Sequence, residues 1–333
     1  MPYFKKKINN KLKNTSTFLY KKENEYVMSL PRFFVAGKVK RFYPDSISWL
    51  FLKKINSLKV IGVYLIQVVV KWRWLAKTKN LRNKGLFGDG IVIGNGPSQG
   101  FLDVKGLLKF KASGGEIICI NFWADNTYLS KVIPTYLVIS DPSIFSDTAP
   151  NFIQEKNEKL LSYLQTNVSV IIICPLERCV KLSEIFGKER ILGFVDQELR
   201  MWTSNINPIF PRGYLSMTLY KALALATWFN YRKIYIIGMD NTYPRNIYCD
   251  QNNKLINHEV HSGTDDYSLD VSALYGNIGD SLTEIANIFY DVRKFKNDKI
   301  INLDPYSLTD VFLKIDKSIG NISNLLNAKN KGP

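Results

Sequence analysis

The sequence predicts an α/β protein: a Rossmann-like, doubly wound, mostly parallel sheet. Three observations lead there. Short runs of aliphatic and β-branched residues recur along the chain, separated by helical patterns. Nearly every run ends in a polar tip: Asn95, Asn121, Asp141, Asp240 and Asp304. The first run, Gly90-Ile91-Val92-Ile93, feeds straight into Gly94-Asn95-Gly96-Pro97-Ser98. A buried strand, a glycine-rich turn and a helix start in that order suit an anion site, although a plain strand-to-helix turn reads the same way. In an open α/β sheet the strand tips share one edge, where ligands bind.

Each element follows from the local pattern. Strands are expected at 90–94, 116–120, 136–140, 168–174, 233–237 and 299–303, and helices at 101–112, 151–166, 214–229 and 280–296. Ser98 stands where a helix N-cap is expected. Residues 241–279 are long and polar, with Tyr243, Tyr248, His258 and His261, and are expected to form a lid. The domain division is a basic N-terminal extension over 1–85 and a catalytic domain over 86–320.

The chain has 333 residues, 46% of them hydrophobic, enough for a sizeable core. Its formal net charge of +16 favours an anionic partner, and much of the excess sits in the first 85 residues. Residues 1–25 read as a mobile basic arm, with no secretory apolar region close behind the first lysines. The uncharged run Val60–Val70 is too short to span a bilayer, which takes about 20 apolar residues. Lys71, Trp72, Arg73 and Trp74 follow it. Residues 55–76 therefore read in two ways, as a membrane-interface segment or as a helix packed on the core with its tryptophans inside. The four cysteines lack Cys-x-x-Cys spacing and are expected as free, mostly buried thiols.

The motifs narrow the chemistry. There is no Asp-x-Asp, no Gly-x-Ser-x-Gly elbow and no His-Glu-x-x-His, which weakens readings as a metal-bridged glycosyltransferase, a hydrolase or a metalloprotease. With only His258 and His261 present, a multi-histidine metal site is not expected. His261, followed by Ser262, can act as a general base near neutral pH, or is a loop histidine without a role. Tyr243 and Tyr248 follow the Gly238-Met239-Asp240 tip. Their hydroxyls can hydrogen-bond a leaving phosphate, or pack the loop.

Taken in order, these motifs resemble the bacterial sialyltransferases of glycosyltransferase family 42. Gly94-Asn95-Gly96-Pro97-Ser98 resembles the family's nucleotide loop, and Asn121-Phe122 its second asparagine-bearing tip. Asp141-Pro142-Ser143-Ile144-Phe145 is similar to its Asn-Pro-Ser-Leu-Phe segment, with Asp for Asn. The stretch from Tyr231 to Asp240 resembles its Gly-Ile-Asp strand, His261-Ser262 its His-Ser, and Asp304-Pro305-Tyr306-Ser307 its closing Cys-Pro-Asn-Ser. The resemblance covers about residues 88–312.

It implies a GT-A-like variant of the fold and inverting transfer of a sialic acid or related keto-sugar acid from a CMP-sugar. The acceptor would be a glycolipid or polysaccharide of the cell surface. The resemblance assigns Asn95, Asn121 and the turn of Asp304, Tyr306 and Ser307 to the nucleotide, with Gly94, Gly96, Pro97, Ser98, Asp141, Ser143 and Asp240 around them. It makes His261 the base, places Tyr248 and Tyr243 on the leaving phosphate, and sets Arg212 near the acceptor. No cofactor beyond the donor co-substrate, and no essential divalent metal, is expected. An anionic membrane surface is the expected partner, placing the protein in the cytoplasm against the inner face of the membrane; a homo-oligomer is compatible and nucleic acid is not expected. Two rival readings are a pterin diphosphokinase-like, ATP-dependent enzyme sharing the Gly-Asn-Gly-Pro-Ser turn, and a basic nucleic-acid-binding protein, although no nucleic-acid-binding motif occurs.

Overall fold

The structure, a computed structural model, describes residues 46–146, 149–199, 203–241, 247–252, 255–259, 267–270, 286–304 and 306–314. Two helices come first, α1 (Ser46–Val70) and α2 (Trp72–Asn80). Then β1 (Asp89–Ile93), α3 (Val104–Ala112), β2 (Glu116–Ile120), β3 (Tyr136–Val138), α4 (Asn151–Thr166), β4 (Ile171–Pro175), α5 (Cys179–Phe186), β5 (Ile191–Phe194), α6 (Thr218–Phe229) and β6 (Lys233–Ile237) alternate. A small antiparallel sheet follows, formed by β7 (Ile247–Cys249), β8 (Leu255–Glu259) and β9 (Tyr267–Asp270). Helix α7 covers 286–292, and β10 (Ile300–Asn302) and β11 (Leu313–Lys314) close the main sheet.

The main sheet has the order β11-β10-β6-β1-β2-β3-β4-β5, and every pairing in it is parallel. The doubly wound α/β expectation holds. Both faces of the sheet are covered, so its strands are apolar throughout rather than alternating. Ile91, Ile93, Ile117 and Cys119 point into a core shared with Leu107 and Phe110 of α3, Leu160 and Leu164 of α4, Leu182 of α5 and Trp74 of α2. Val92, Ile118 and Ile236 point the other way, onto Leu219, Leu223 and Phe229 of α6 and Val292 of α7.

That change of face sets the position of the site. The chain runs outward from β1 to β5 with helices on one face. It then crosses by α6 on the other face and lands at β6, on the opposite side of β1. The β1/β6 boundary is the topological switch point, the place on the carboxyl edge where this architecture binds ligands.

Several boundaries differ from expectation for identifiable reasons. The helix expected from residue 101 starts at Val104. Its cap is Asp103, whose carboxylate accepts from Gly106 N–H, and Pro97–Phe101 forms a separate 3-10 turn. The helix expected from 214 starts at Thr218, because 203–217 is an irregular connection held by Arg212. Helix α5 and strand β5 are additional to the sequence expectation. The segment expected as a lid loop carries the β7–β9 sheet, in which three short runs pair antiparallel with one another. Of the four thiols, Cys119, Cys174 and Cys179 are buried and Cys249 is exposed, all of them free.

Candidate functional site

The site is built from three strand tips. Ile93 leads into Gly94, Ile237 into Gly238, and Asn302 into Asp304. Gly94 and Gly238 lie back to back. A Cβ on Gly94 would stand 2.4 Å from Gly238 O, and one on Gly238, which has a φ of +74°, would stand 2.3 Å from Gly94 O. Only glycine fits at either position. Gly94 N–H donates to Ile237 O at 2.8 Å and Gly96 N–H to Gly238 O at 3.2 Å, which carries the β1–β6 ladder past the strands.

Ser98 is part of this clamp rather than a helix cap. Its Oγ accepts from Gly238 N–H at 2.9 Å, and its own N–H donates to Asp240 Oδ1 at 3.0 Å. A Cβ on Gly96 would stand 1.9 Å from Asp240 Oδ2. The second glycine therefore makes room for a carboxylate of the protein itself. Ser307 Oγ donates to Met239 O at 2.7 Å, Leu308 N–H donates to Asp240 O, and Asp304 Oδ1 accepts from Tyr306 N–H at 2.8 Å. Gly94, Gly96, Ser98, Asp240, Asp304, Tyr306 and Ser307 thus come together as one unit, with Asn95 and Pro97 on the turn between them.

Asp240 and Asp304 are both buried, and each has an Oδ2 with no hydrogen-bond partner among the described residues. Burial pushes the Asp240 carboxyl up from its usual value to about 6, and the negative charge of Asp304 pushes the same way. Ser98 opposes both by donating to it. Asp240 therefore takes up its proton at a higher pH than a solvated aspartate does. Asn302 sits beneath. Its Oδ1 accepts from Asp304 N–H, and its buried Nδ2 has no partner among the described residues.

The Asn95 side chain makes no hydrogen bond among the described residues and is only partly buried. Phe101 and Tyr306 are each about half exposed, with ring centroids 6.4 Å apart. Exposed aromatic faces beside an unengaged amide can stack on and hydrogen-bond a planar base. Phe101 and Asn302 were missed by sequence reasoning. Phe101 is the last residue of the Pro97–Phe101 turn, and the one available signal was its position three residues after Ser98.

The other nominated residues are engaged inside the protein. Asn121, at a φ of +44°, donates from Nδ2 to Thr218 Oγ1 at 3.0 Å, and its Oδ1 accepts from Ser140 N–H at 3.2 Å. It latches the tips of β2 and β3 to the start of α6, in a backbone conformation that asparagine tolerates. Asp141 Oδ1 accepts from the N–H and Oγ of Ser143, closing a local turn. Arg212 is buried. Its Nε reaches Asp196 at 3.0 Å, its Nη1 reaches Glu198 at 3.0 Å, and Nη1 also donates to Tyr214 O. Asp196 in turn accepts from the buried Lys221 of α6 at 2.8 Å. Tyr248 lies on β7, half exposed, and no described hydrogen bond joins it to the switch point. Tyr243 and His261 lie outside the described residues.

No protein-family model and no curated protein matches this chain. Among solved structures, it is similar to the MAf glycosyltransferase of Magnetospirillum magneticum AMB-1, at 12% identity and a TM-score of 0.38. The match covers 78% of this chain and 41% of that one, so the chain spans about two-fifths of that protein's length. A likeness this loose carries no chemistry across.

Proposed function

We propose that this chain is a glycosyltransferase that moves a sialic acid or related keto-sugar acid from a CMP-sugar to a cell-surface glycan acceptor, with inversion. One observation carries the reading. The motifs that resemble family 42 in sequence, Gly94–Ser98, Gly238–Asp240 and Asp304–Ser307, lie far apart along the chain, yet they meet at the switch point of the sheet. That is where this architecture binds nucleotides.

In this reading Asn95 hydrogen-bonds the nucleotide, and Phe101 and Tyr306 border its base. His261 takes the proton of the acceptor hydroxyl, a poor nucleophile until deprotonated. Tyr248, helped by Tyr243, donates to the departing phosphate as its charge grows. The reading requires no divalent metal. Incubation with a panel of CMP-sugars and an acceptor glycan, with CMP release as the readout, tests the donor. His261→Ala is expected to keep CMP binding and to lose about 10²–10⁴-fold in rate. Transfer at the normal rate by that variant, or no CMP release from any donor, sinks the proposal.

A second reading has an observation in its favour. The Asp240–Asp304 pair supplies carboxylates at the same tips, as the pterin diphosphokinase-like alternative needs for magnesium-ATP. Thermal shift separates the two, because a native-state ligand raises stability. A shift with CMP and none with ATP and magnesium upholds the transferase.

A further inference from the structure

Helix α1 is apolar on both faces, with Tyr64 and Val68 packed against the core. On the inward side Tyr64 donates its hydroxyl to Ile209 O and meets the Phe210 ring at 5.2 Å, while Gln67 Oε1 accepts from Gln197 Nε2 at 2.7 Å. Its outward residues are apolar. Leu58, Leu65, Ile66, Val69 and Val70, with Trp72 just beyond the helix end, are between half and about four-fifths exposed. Leu58, Leu65, Val69 and Trp72 recur at steps of seven, four and three, which stacks them into one ridge. A surface helix ordinarily turns polar residues outward, and a contiguous exposed apolar ridge marks an interaction surface.

Charge identifies the partner. Residues 1–85 hold 20 Lys and Arg against 3 Asp and Glu, whereas the remaining 248 residues hold 25 against 26. The whole excess lies in this part of the chain. From Ser46 to Gly88 there is no acidic residue; Lys53 and Lys54 precede the apolar ridge, Lys59 and Lys71 lie within its span, and Arg73 and Lys79 follow it, while Lys77 turns inward to Lys188 O and Glu189. A second copy laid against the ridge would bring like charges together. An anionic lipid surface would receive both the ridge and the lysines. Among the described residues no helix is long and apolar enough to cross a membrane, so the helix would lie on the surface rather than span it.

We propose that the outward face of α1, from Leu58 to Trp72, docks this protein onto an anionic bilayer. The inserting residues are those of the ridge together with the exposed Ile66 and Val70 beside it. Trp74 takes no part, since it is 2% exposed and packed in the core. Docking here brings the bilayer beside the connection that leaves the carboxyl end of β5, because Tyr64 and Gln67 tie α1 to residues 197 and 209. The proposal stands independently of the chemistry assigned above.

Co-sedimentation of the full chain with phosphatidylcholine vesicles, with and without phosphatidylglycerol, tests it. Binding is expected only to the anionic vesicles, and it should fall as salt is added. Leu65→Gln/Ile66→Gln/Val69→Gln alters exposed positions only and should lower partitioning roughly tenfold or more. Trp72→Phe should abolish most of the vesicle-induced blue shift in fluorescence, which serves as a second readout if the triple variant fails to fold. Wild-type sedimentation by the triple variant overturns the proposal. So does a dimer, seen without vesicles, that the triple variant dissociates while leaving vesicle binding unchanged.

Discussion

The two halves of the carboxyl edge differ in how their polar groups are used. Around β2, β3 and β5, every nominated polar side chain has internal partners: Asn121 holds Thr218 and Ser140, Asp141 holds Ser143, and Arg212 holds Asp196 and Glu198. Around β1, β6 and β10, valences are left over: the Asn95 amide, one oxygen each on Asp240 and Asp304, and Asn302 Nδ2. A group that is already satisfied gains little from a ligand, whereas a desolvated, unsatisfied one gains a full hydrogen bond. The first half is therefore scaffold, and in the proposed reading the second is recognition surface, although both present Asn and Asp at strand tips.

The sharpest break would come at Arg212. Arg212→Ala removes the guanidinium from Asp196, Glu198 and Tyr214 O, while Lys221 still pairs Asp196 and Glu198 is about one-third exposed. It should cost about 3 kcal/mol in urea unfolding, the scale of lost charge-assisted hydrogen bonds around a buried side chain. A loss of only a few tenths would remove Arg212 from the scaffold half.

Asp240 gives the opposite expectation. Its folded-state carboxyl is raised from its ordinary value to about 6, so the native protein holds that proton more tightly than the unfolded chain does. The stabilising share is complete below pH 4 and is lost as the pH climbs through about 6. Asp240→Asn keeps the acceptor for Ser98 N–H and removes the charge. It should stabilise the protein by on the order of 2 kcal/mol at pH 8 and by little at pH 4. Parallel pH profiles for the two proteins would show that the Asp240 environment does not carry this penalty.

The smallest effect on folding should separate the two asparagines. Asn121→Ala unlatches β2, β3 and α6 and is expected to cost about 1–3 kcal/mol of stability. Asn95→Ala should stay within about 0.5 kcal/mol in stability, yet weaken CMP binding about tenfold by calorimetry. Equal stability losses would erase the distinction between scaffold and recognition surface.

Much of the architecture was legible in the chain. Both-face burial makes parallel strands uniformly apolar, so Ile91-Val92-Ile93, Ile117-Ile118-Cys119 and Ile234-Tyr235-Ile236 announce themselves without any partner known. The polar residues after them mark the edge where a site can form. Strand β5 was not legible, because Ile191-Leu192-Gly193-Phe194 is short and follows a basic turn. The pairing of β7 to β9 was also hidden, since its hydrogen bonds join runs too short and polar to show a period.

The sequence by itself determined the fold class, the Gly-Asn-Gly-Pro-Ser turn and the concentration of charge in the first 85 residues, because periodicity, glycine placement and net charge are local or additive properties. Strand order and side-chain partnership are neither. Only the tertiary structure decided that β6 and β10 flank β1, that the room at Gly96 serves Asp240, and that Asn121 is a latch while Asn95 stays open. It also decided that Trp74 turns inward while Trp72 stays out. Two asparagines or two tryptophans read alike along a chain; which one keeps a free valence or an exposed ring depends on what folds against it.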